Sequence, residues 1–388
     1  MPRATVEITP SGQRPDEDPS LAVRNNGGAA PSTEPAPAGR REALLVLSFG
    51  GPEGHADVLP FLENVTRGRG IPRERLEEVA EHYHHFGGVS PINEQNKALI
   101  AALEKELVAA GVDLPVYWGN RNWAPYVEDT WAQMADDGIE HAYVFPTSAY
   151  ASFSGCRQYH EDIARARVST TSPTRPGGPT AEKLPHYFDT PGFVTANADA
   201  LAAALASLPD DVRDTARLVA TAHSIPNAMA AVAGPDGGAY EAELLAAAER
   251  VVAEVAPGRS FDLVWQSRSG PPSVPWLEPD VNDHLRALAA AGETAVVLFP
   301  VGFISDHLEV IWDLDNEARQ TAEELGLAFA RAATAGTHPA FVESIRMLLE
   351  ERRAGGLPRL GTNCAASCCY VQRRPPADTA ASSRPPVG

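Results

Sequence analysis

The chain is poor in cysteine, with four in 388 residues, and poor in positive charge, with 32 Lys and Arg against 51 Asp and Glu. No run of about 18 apolar residues occurs, so the sequence predicts no membrane-spanning helix. The N-terminus lacks the continuous apolar stretch of a secretory signal. These two absences lead us to expect a cytoplasmic protein, in which the Asn64-Val65-Thr66 triplet carries no sugar. A formal net charge of −19 argues against nucleic acid or an anionic membrane as the main partner and favours cations. So few cysteines, in a reducing compartment, have little use as disulfides. There is no G-x-S-x-G elbow, and Ser224 beside His223 is not a hydrolase pair, because adjacent strand residues point to opposite faces. No internal repeat aligns.

What remains is a chain of ordinary apolar content, 44% hydrophobic and long enough for two domains with real cores. Residues 1–41 are rich in Pro, Gly, Ser and charge and read as a disordered tail, as does the Arg/Pro-rich stretch 372–388. Between them, apolar strand patterns alternate with amphipathic helix patterns. Strands are expected at Ala43–Ser48, Pro115–Gly119, His141–Phe145, Lys183–Tyr187, Ala216–Ala222, Phe261–Gln266 and Thr294–Phe299. Such alternation predicts an α/β fold with parallel sheets covered on both faces. The Pro/Gly/Thr-rich loop at 169–180 is the best break, which divides the chain into α/β domains at 42–175 and 176–335. A helix and a cysteine-containing segment follow at 336–371.

The stretch Phe299–Glu317 carries the densest chemistry. An apolar strand stops at Pro300 and Gly302, and a helix is expected to open near Ser305-Asp306, whose short polar side chains suit an N-cap. Glu309, Asp313 and Glu317 then recur every four residues, on one slowly spiralling line. This line is interleaved with Leu308, Val310, Ile311, Trp312 and Leu314 and follows the end of a strand, where open α/β sheets place their sites. A file of carboxylates leading inward suits a hard, hydrated divalent cation. His223 closes another apolar strand, where a neutral imidazole can take a proton or bind a metal. Gly50 and Gly51 have the wrong spacing for a dinucleotide loop, and Pro52 removes an N–H that a pyrophosphate needs. Ser90 precedes a long helix that starts at Pro91. His82 and His85 share a helical face with no third ligand in view. Cys364, Cys368 and Cys369 cluster near the C-terminus, and Cys156 lies about two hundred residues earlier. Four thiolates is the count for zinc or an iron–sulfur cluster, and the adjacent pair suits two irons better than one tetrahedral zinc.

Taken together, Ser48-Phe49-Gly50-Gly51-Pro52-Glu53, Gly87-Gly88-Val89-Ser90-Pro91, Thr221-Ala222-His223-Ser224-Ile225-Pro226, Gln266-Ser267-Arg268-Ser269-Gly270-Pro271 with Pro275-Trp276-Leu277, and Ser305-Asp306-His307-Leu308-Glu309 resemble the ferrochelatase family, in that family's order. The resemblance covers 43–370. It implies two Rossmann-like, chelatase-type domains around a central cleft, and insertion of Fe²⁺, as substrate, into a porphyrin. It implies that His223 and Glu309 handle pyrrole protons and iron, and that Asp313 and Glu317 continue the iron path. Ser90 and Tyr159 match porphyrin-contacting positions, and Arg67, Arg69 and Tyr83 fall near others. Cys156, Cys364, Cys368 and Cys369 match members that hold a [2Fe–2S] cluster. Similarity to the bacterial cluster-bearing members implies coproporphyrin III as substrate, with protoporphyrin IX as the alternative and at most transient contact with a membrane or another haem-pathway enzyme. Two other readings stay open: a chelatase for another metal or tetrapyrrole, and a non-enzymatic haem or iron–sulfur binding protein. The chain departs from parts of the family at Phe49, where bacterial members without the cluster often carry a Tyr that can ligate product iron, and at His82, where some members carry Arg.

Overall fold

A computed structural model describes residues 39–356 apart from residues 69, 173, 174 and 177, together with Gly361, Cys368 and Cys369. The expected tails therefore lie largely outside the described residues, as do Arg69 and Cys364. Eight strands form two four-stranded parallel sheets. The first contains β1 (Glu42–Ser48), β2 (Val116–Asn120), β3 (His141–Pro146) and β4 (Thr180–Lys183), in the spatial order β2-β1-β3-β4. The second contains β5 (Arg217–His223), β6 (Phe261–Gln266), β7 (Ala295–Phe299) and β8 (Ala328–Arg331), in the order β6-β5-β7-β8. The two halves thus repeat one topology, although no sequence repeat announces it. All residues of β1, β3 and β7 are buried, as expected of parallel strands covered by helices on both faces.

The expected strand at Lys183–Tyr187 is displaced to Thr180–Lys183. Pro185 has no N–H to give to a ladder, so the strand ends before it. Because β4 pairs with β3, the change from one sheet to the other comes after Lys183, later than the break expected at 175/176. The loop expected there contains a small antiparallel ribbon, Thr171–Ser172 against Arg175–Pro176.

Helices α1 (His55–Val65) and α2 (Arg73–His85) form a pair outside the first sheet, packed through Val58, Phe61, Leu62, Leu76, Ala80 and Tyr83. Leu308 of the second half inserts into this same cluster. Helix α3 (Ile92–Ala109) follows, with α4 (Val127–Asp136), then α5 (Gln158–Thr170) behind a π turn at Phe153–Arg157. The second half adds α6 (Pro191–Ser207), α7 (Ala239–Val255), α8 (Val281–Ala290) and α9, a continuous helix in three parts: Leu308–Val310, a π segment Ile311–Ala318, and Arg319–Leu325. The last helix, α10 (Pro339–Arg353), packs against both α3 and α6. Phe341 on α10 meets Phe145 of β3, Tyr187 and Phe193, so the final helix joins a core shared by both sheets. Among the described residues no helix is long and apolar enough to cross a membrane.

Candidate active site

In each sheet the chain turns to opposite sides after its first and third strands, which opens a crevice at their C-terminal ends. In the second half those strands are β5 and β7. Strand β5 ends at His223. Strand β7 ends at Phe299 and runs through a loop into α9, which begins one residue before Glu309. Gly302 lets this loop descend onto β5: its N–H bonds to Thr221 O at 3.1 Å, and a Cβ there would lie 2.5 Å from Cβ of Ala222. The close approach brings His223 Nε2 to 3.6 Å from Glu309 Oε2.

The other ring nitrogen of His223, Nδ1, lies 2.5 Å from Ser224 O. A carbonyl oxygen only accepts, so Nδ1 carries a proton and Nε2 is the atom presented to Glu309 and the crevice. Half of the Glu309 side chain remains reachable by solvent although protein surrounds it, which places it on a cleft wall. Burial pushes the Glu309 carboxyl up, but its contact with His223 and the charges of His307, His223 and His82 together bring it down to about 2. Burial in turn depresses His223, while Glu309, the Ser224 carbonyl and Asp313 outweigh that and raise it. The two groups therefore hold a proton between them as an ion pair. His307, on the same loop, is held below its ordinary value by burial and the neighbouring His223, with Glu309 opposing.

The expected cap at Ser305-Asp306 is not used. His307 occupies the N-cap position, and the Asp306 carboxylate binds Arg331 of β8 at 2.9 Å. The α-helical periodicity expected from Leu308 onward is also corrected, because Ile311–Ala318 is a π segment with a wider turn. Asp313 and Glu317 lie within it. Ser267 donates a short hydrogen bond to Asp313 Oδ2, and Gln266 Nε2 approaches the same oxygen at 3.4 Å. Ser267 has a φ of 62°, a left-handed backbone that a non-glycine residue adopts at a cost of order 1–3 kcal/mol and that concentrates at functional sites. Burial, together with Glu309 and Glu317, raises the Asp313 carboxyl to about 7. Glu317 Oε1 accepts the Trp312 indole N–H at 2.8 Å. The file of acids therefore runs from an exposed carboxylate to one that is half protonated near neutrality, and ends at the His223–Glu309 pair.

The ferrochelatase family model matches residues 41–353. The chain belongs to the ferrochelatase family. It is 59% identical over 350 residues to a coproporphyrin III ferrochelatase of Nocardia farcinica, across 87% of this chain and 98% of that protein. It is 58% identical over 318 residues to a coproporphyrin III ferrochelatase of Mycolicibacterium smegmatis, across 82% and 92%. The solved structure of SirB from Bacillus subtilis with Fe3+ aligns with 81% of this chain and 96% of its own, at a TM-score of 0.50 and 13% identity, a likeness of fold alone.

In this ferrochelatase-family chain the other expected site residues lie mainly in the first half. Ser90 is buried beneath the turn after β1, where a Cβ on Gly51 would sit 2.6 Å from Cβ of Ser90. Tyr159 is buried, with the Arg121 guanidinium 4.4 Å above its ring and Thr147 Oγ1 3.5 Å from its hydroxyl. Tyr83 is buried in the α1–α2 cluster, and burial and Glu309 push its hydroxyl well up. Arg67 is exposed in the turn after α1. Three features escaped the sequence. Phe49, Phe61 and Trp123 form an edge-to-face aromatic row beside the crevice. Arg121 is buried and paired with Asp162 at 2.5 Å. His82 and His85 share an aromatic partner: His82 stacks on Trp312 at 4.0 Å, and His85 meets the same ring edge-on.

Cys156, Cys368 and Cys369 come together in one buried patch with Ala151, although they stand far apart in sequence. The Cys368 and Cys369 sulfurs are 3.9 Å apart, and Cys369 Sγ accepts the Gly234 N–H at 3.2 Å. Contacts with Cys156 and Cys368, followed by burial, push the Cys369 thiol far up. Behind Cys156, His186 hydrogen-bonds Glu243 at 3.2 Å. Among the described residues no set of three or more His, Cys, Asp or Glu side chains stands in ligating geometry for a metal ion.

Proposed function

We propose that the chain inserts Fe²⁺ into coproporphyrin III and releases two protons, giving Fe-coproporphyrin III. The observation that carries this reading is the His223–Glu309 pair at the head of the acid file, in a chain whose relatives bear the name coproporphyrin III ferrochelatase. Metallation must strip water from the ion, bend a flat ring and remove two N–H protons. Glu317 and Asp313 exchange carboxylate oxygens for the ion's water one step at a time, so no bare cation forms. His223 Nε2, oriented by the Ser224 carbonyl, accepts one pyrrole proton, and Glu309 accepts the other or passes on the iron. Incoming positive charge expels the proton that the pair shares, which frees His223 as a base. Clamping the macrocycle between two rigid halves holds it near the reacting geometry. Ser90, Tyr159, Tyr83 and Arg67 are the proposed contacts to the ring and its propionates, and the row of Phe49, Phe61 and Trp123 is the proposed apolar wall.

The cysteine patch fits a [2Fe–2S] cluster in donor chemistry, since a thiol of the first half and two from near the C-terminus meet away from water. Cys156, Cys368 and Cys369, with Cys364, would hold it. Bound there, the cluster would supply a covalent tie between the first half and the C-terminal segment, with one-electron chemistry of its own. The deciding experiment is anaerobic Fe²⁺ insertion measured side by side with coproporphyrin III and protoporphyrin IX. Faster turnover of coproporphyrin III is expected. Equal or reversed preference would overturn the substrate assignment, and absence of insertion into either would overturn the activity.

A further inference from the structure

The loop that delivers Glu309 belongs to the second half, yet its position is fixed by the first. Gln95, on α3, holds it with both ends of its side-chain amide. Its Nε2 donates to Asp306 O at 3.0 Å, and its Oε1 accepts the Asp306 N–H at 2.7 Å. This reciprocal pair reproduces the hydrogen bonding of a neighbouring strand and fixes the loop in both translation and tilt. Two further contacts from the first half reach the same segment. The buried Tyr150 hydroxyl donates to Val301 O at 2.7 Å, and Leu308 enters the α1–α2 cluster. Within the second half, Arg331 takes Asp306 on one side and Asp315 of the π segment on the other, so the clamped residue is tied to the helix that carries the acids.

We propose that Gln95 is a positioning residue for the insertion reaction: it holds Asp306 from the opposite half, and so sets where Glu309, three residues later, stands against His223. The inference rests on the reading of Glu309 as an acting group. A side-chain amide suits this role because it offers a donor and an acceptor side by side to a peptide unit without having to be protonated first. Neither Gln95 nor Asp306 touches His223, so the effect is transmitted through the loop. A displacement of about 1 Å at a reacting group can cost on the order of a hundredfold in rate.

The test compares Gln95→Met, which keeps length and loses both hydrogen bonds, with Gln95→Glu, which keeps the acceptor for the Asp306 N–H. In the full chain, Gln95→Met should lower kcat for Fe²⁺ insertion tenfold or more, with the KM for porphyrin and for Fe²⁺ each within about twofold of wild type. Gln95→Glu keeps one hydrogen bond but sets a carboxylate oxygen against Asp306 O, and should also lower kcat. The ¹⁵N signals of the His223 imidazole, measured without porphyrin or metal, should move in Gln95→Met in the direction seen for Glu309→Gln. A folded Gln95→Met with unchanged kcat, or with unmoved His223 signals, overturns the inference, as does a loss that appears in KM instead. If Gln95→Met does not fold, Gln95→Glu decides: its His223 signals should move in the same direction, and unmoved signals overturn the inference. Full turnover in Glu309→Gln would instead overturn the reading of Glu309, whatever the His223 signals show.

Discussion

In the first half, the strand ends present amides and rings: Phe49 after β1, and Asn120, Arg121 and Trp123 at and after β2. In the second half, the strand ends present His223 as the last residue of β5, Ser267 after β6, and the loop to Glu309 after β7. One strand order, used twice, thus carries two chemistries. The amides behind the first half's strand ends are paired with neighbours in the same half, although Arg121 Nη2 and Asn122 Nδ2 are buried without a partner among the described residues. Asn96 donates to Ser48 Oγ at 2.8 Å, Asn93 to Gly51 O at 3.0 Å, and Trp118 to Asn120 Oδ1 at 3.0 Å. Amides do not titrate near neutrality, so hydrogen-bonded groups of this kind stiffen a wall and offer no proton to move. The second half does the reverse. It sets an ionised Glu309 against a His223 whose basicity Glu309 raises, and holds Asp313 on the edge of ionisation. The comparison teaches a division of labour in which one half shapes and holds and the other handles protons and cations.

The sharpest way to break that division is His223→Ala. If the second half does the chemistry, kcat should fall by about 10²–10⁴, the range of a lost general base. Binding of porphyrin alone, followed by fluorescence quenching, should change little, and circular dichroism should report an intact fold. Full turnover in a folded His223→Ala would dissolve the distinction between the halves.

Asp313→Asn sharpens the comparison through pH. The raised carboxyl is mostly protonated below pH about 7 and becomes a cation ligand above it. The KM for Fe²⁺ should therefore fall as pH rises through about 7 in the native chain. In Asp313→Asn the KM for Fe²⁺ should be roughly tenfold higher and lose that inflection, while the KM for porphyrin stays level. The sign for stability is opposite. Between the ordinary aspartate value of 3.8 and about 7, the folded state binds more protons than the unfolded state. Stability contributed by this group therefore declines as pH rises across that window. Thermal denaturation of Asp313→Asn should show a flatter pH dependence than the native chain. An unchanged inflection would assign the titration to another group.

Much of this was readable in the sequence because the relevant signals are local. The buried strands β1, β3 and β7 are built on short apolar runs, and His223 and Glu309 flank strand ends at positions that family motifs mark. What was not readable depends on partners distant in the chain. Asp306 looked like a cap because Arg331, 25 residues on, could not be foreseen as its partner. Gln95 carried no signal at all, since its partner is 211 residues away. The π segment stayed hidden because apolar spacing is read against a period of 3.6 residues, and one widened turn barely disturbs it. Strand β8 was missed because Ala328–Arg331 is four residues long and only partly buried, so it shows neither alternation nor a solid apolar run.

The smallest expected effect lies in the first half and tests whether that half is only a wall. Phe49 is 37% exposed beside the crevice and meets Phe61 edge-to-face at 6.2 Å. An aromatic pair is worth about 0.5–1.5 kcal/mol beyond its buried area, so losing the proposed contact of Phe49 with the macrocycle should raise the KM for porphyrin roughly two- to tenfold. Phe49→Ala should accordingly weaken porphyrin binding by that factor. The KM for Fe²⁺ and its pH inflection should stay as they are, because no ring in the row touches the acid file. The conclusion would fail if Phe49→Ala shifted the KM for Fe²⁺ as strongly as that for porphyrin. The two halves would then share the handling of iron, and the repeated topology would no longer separate two chemistries.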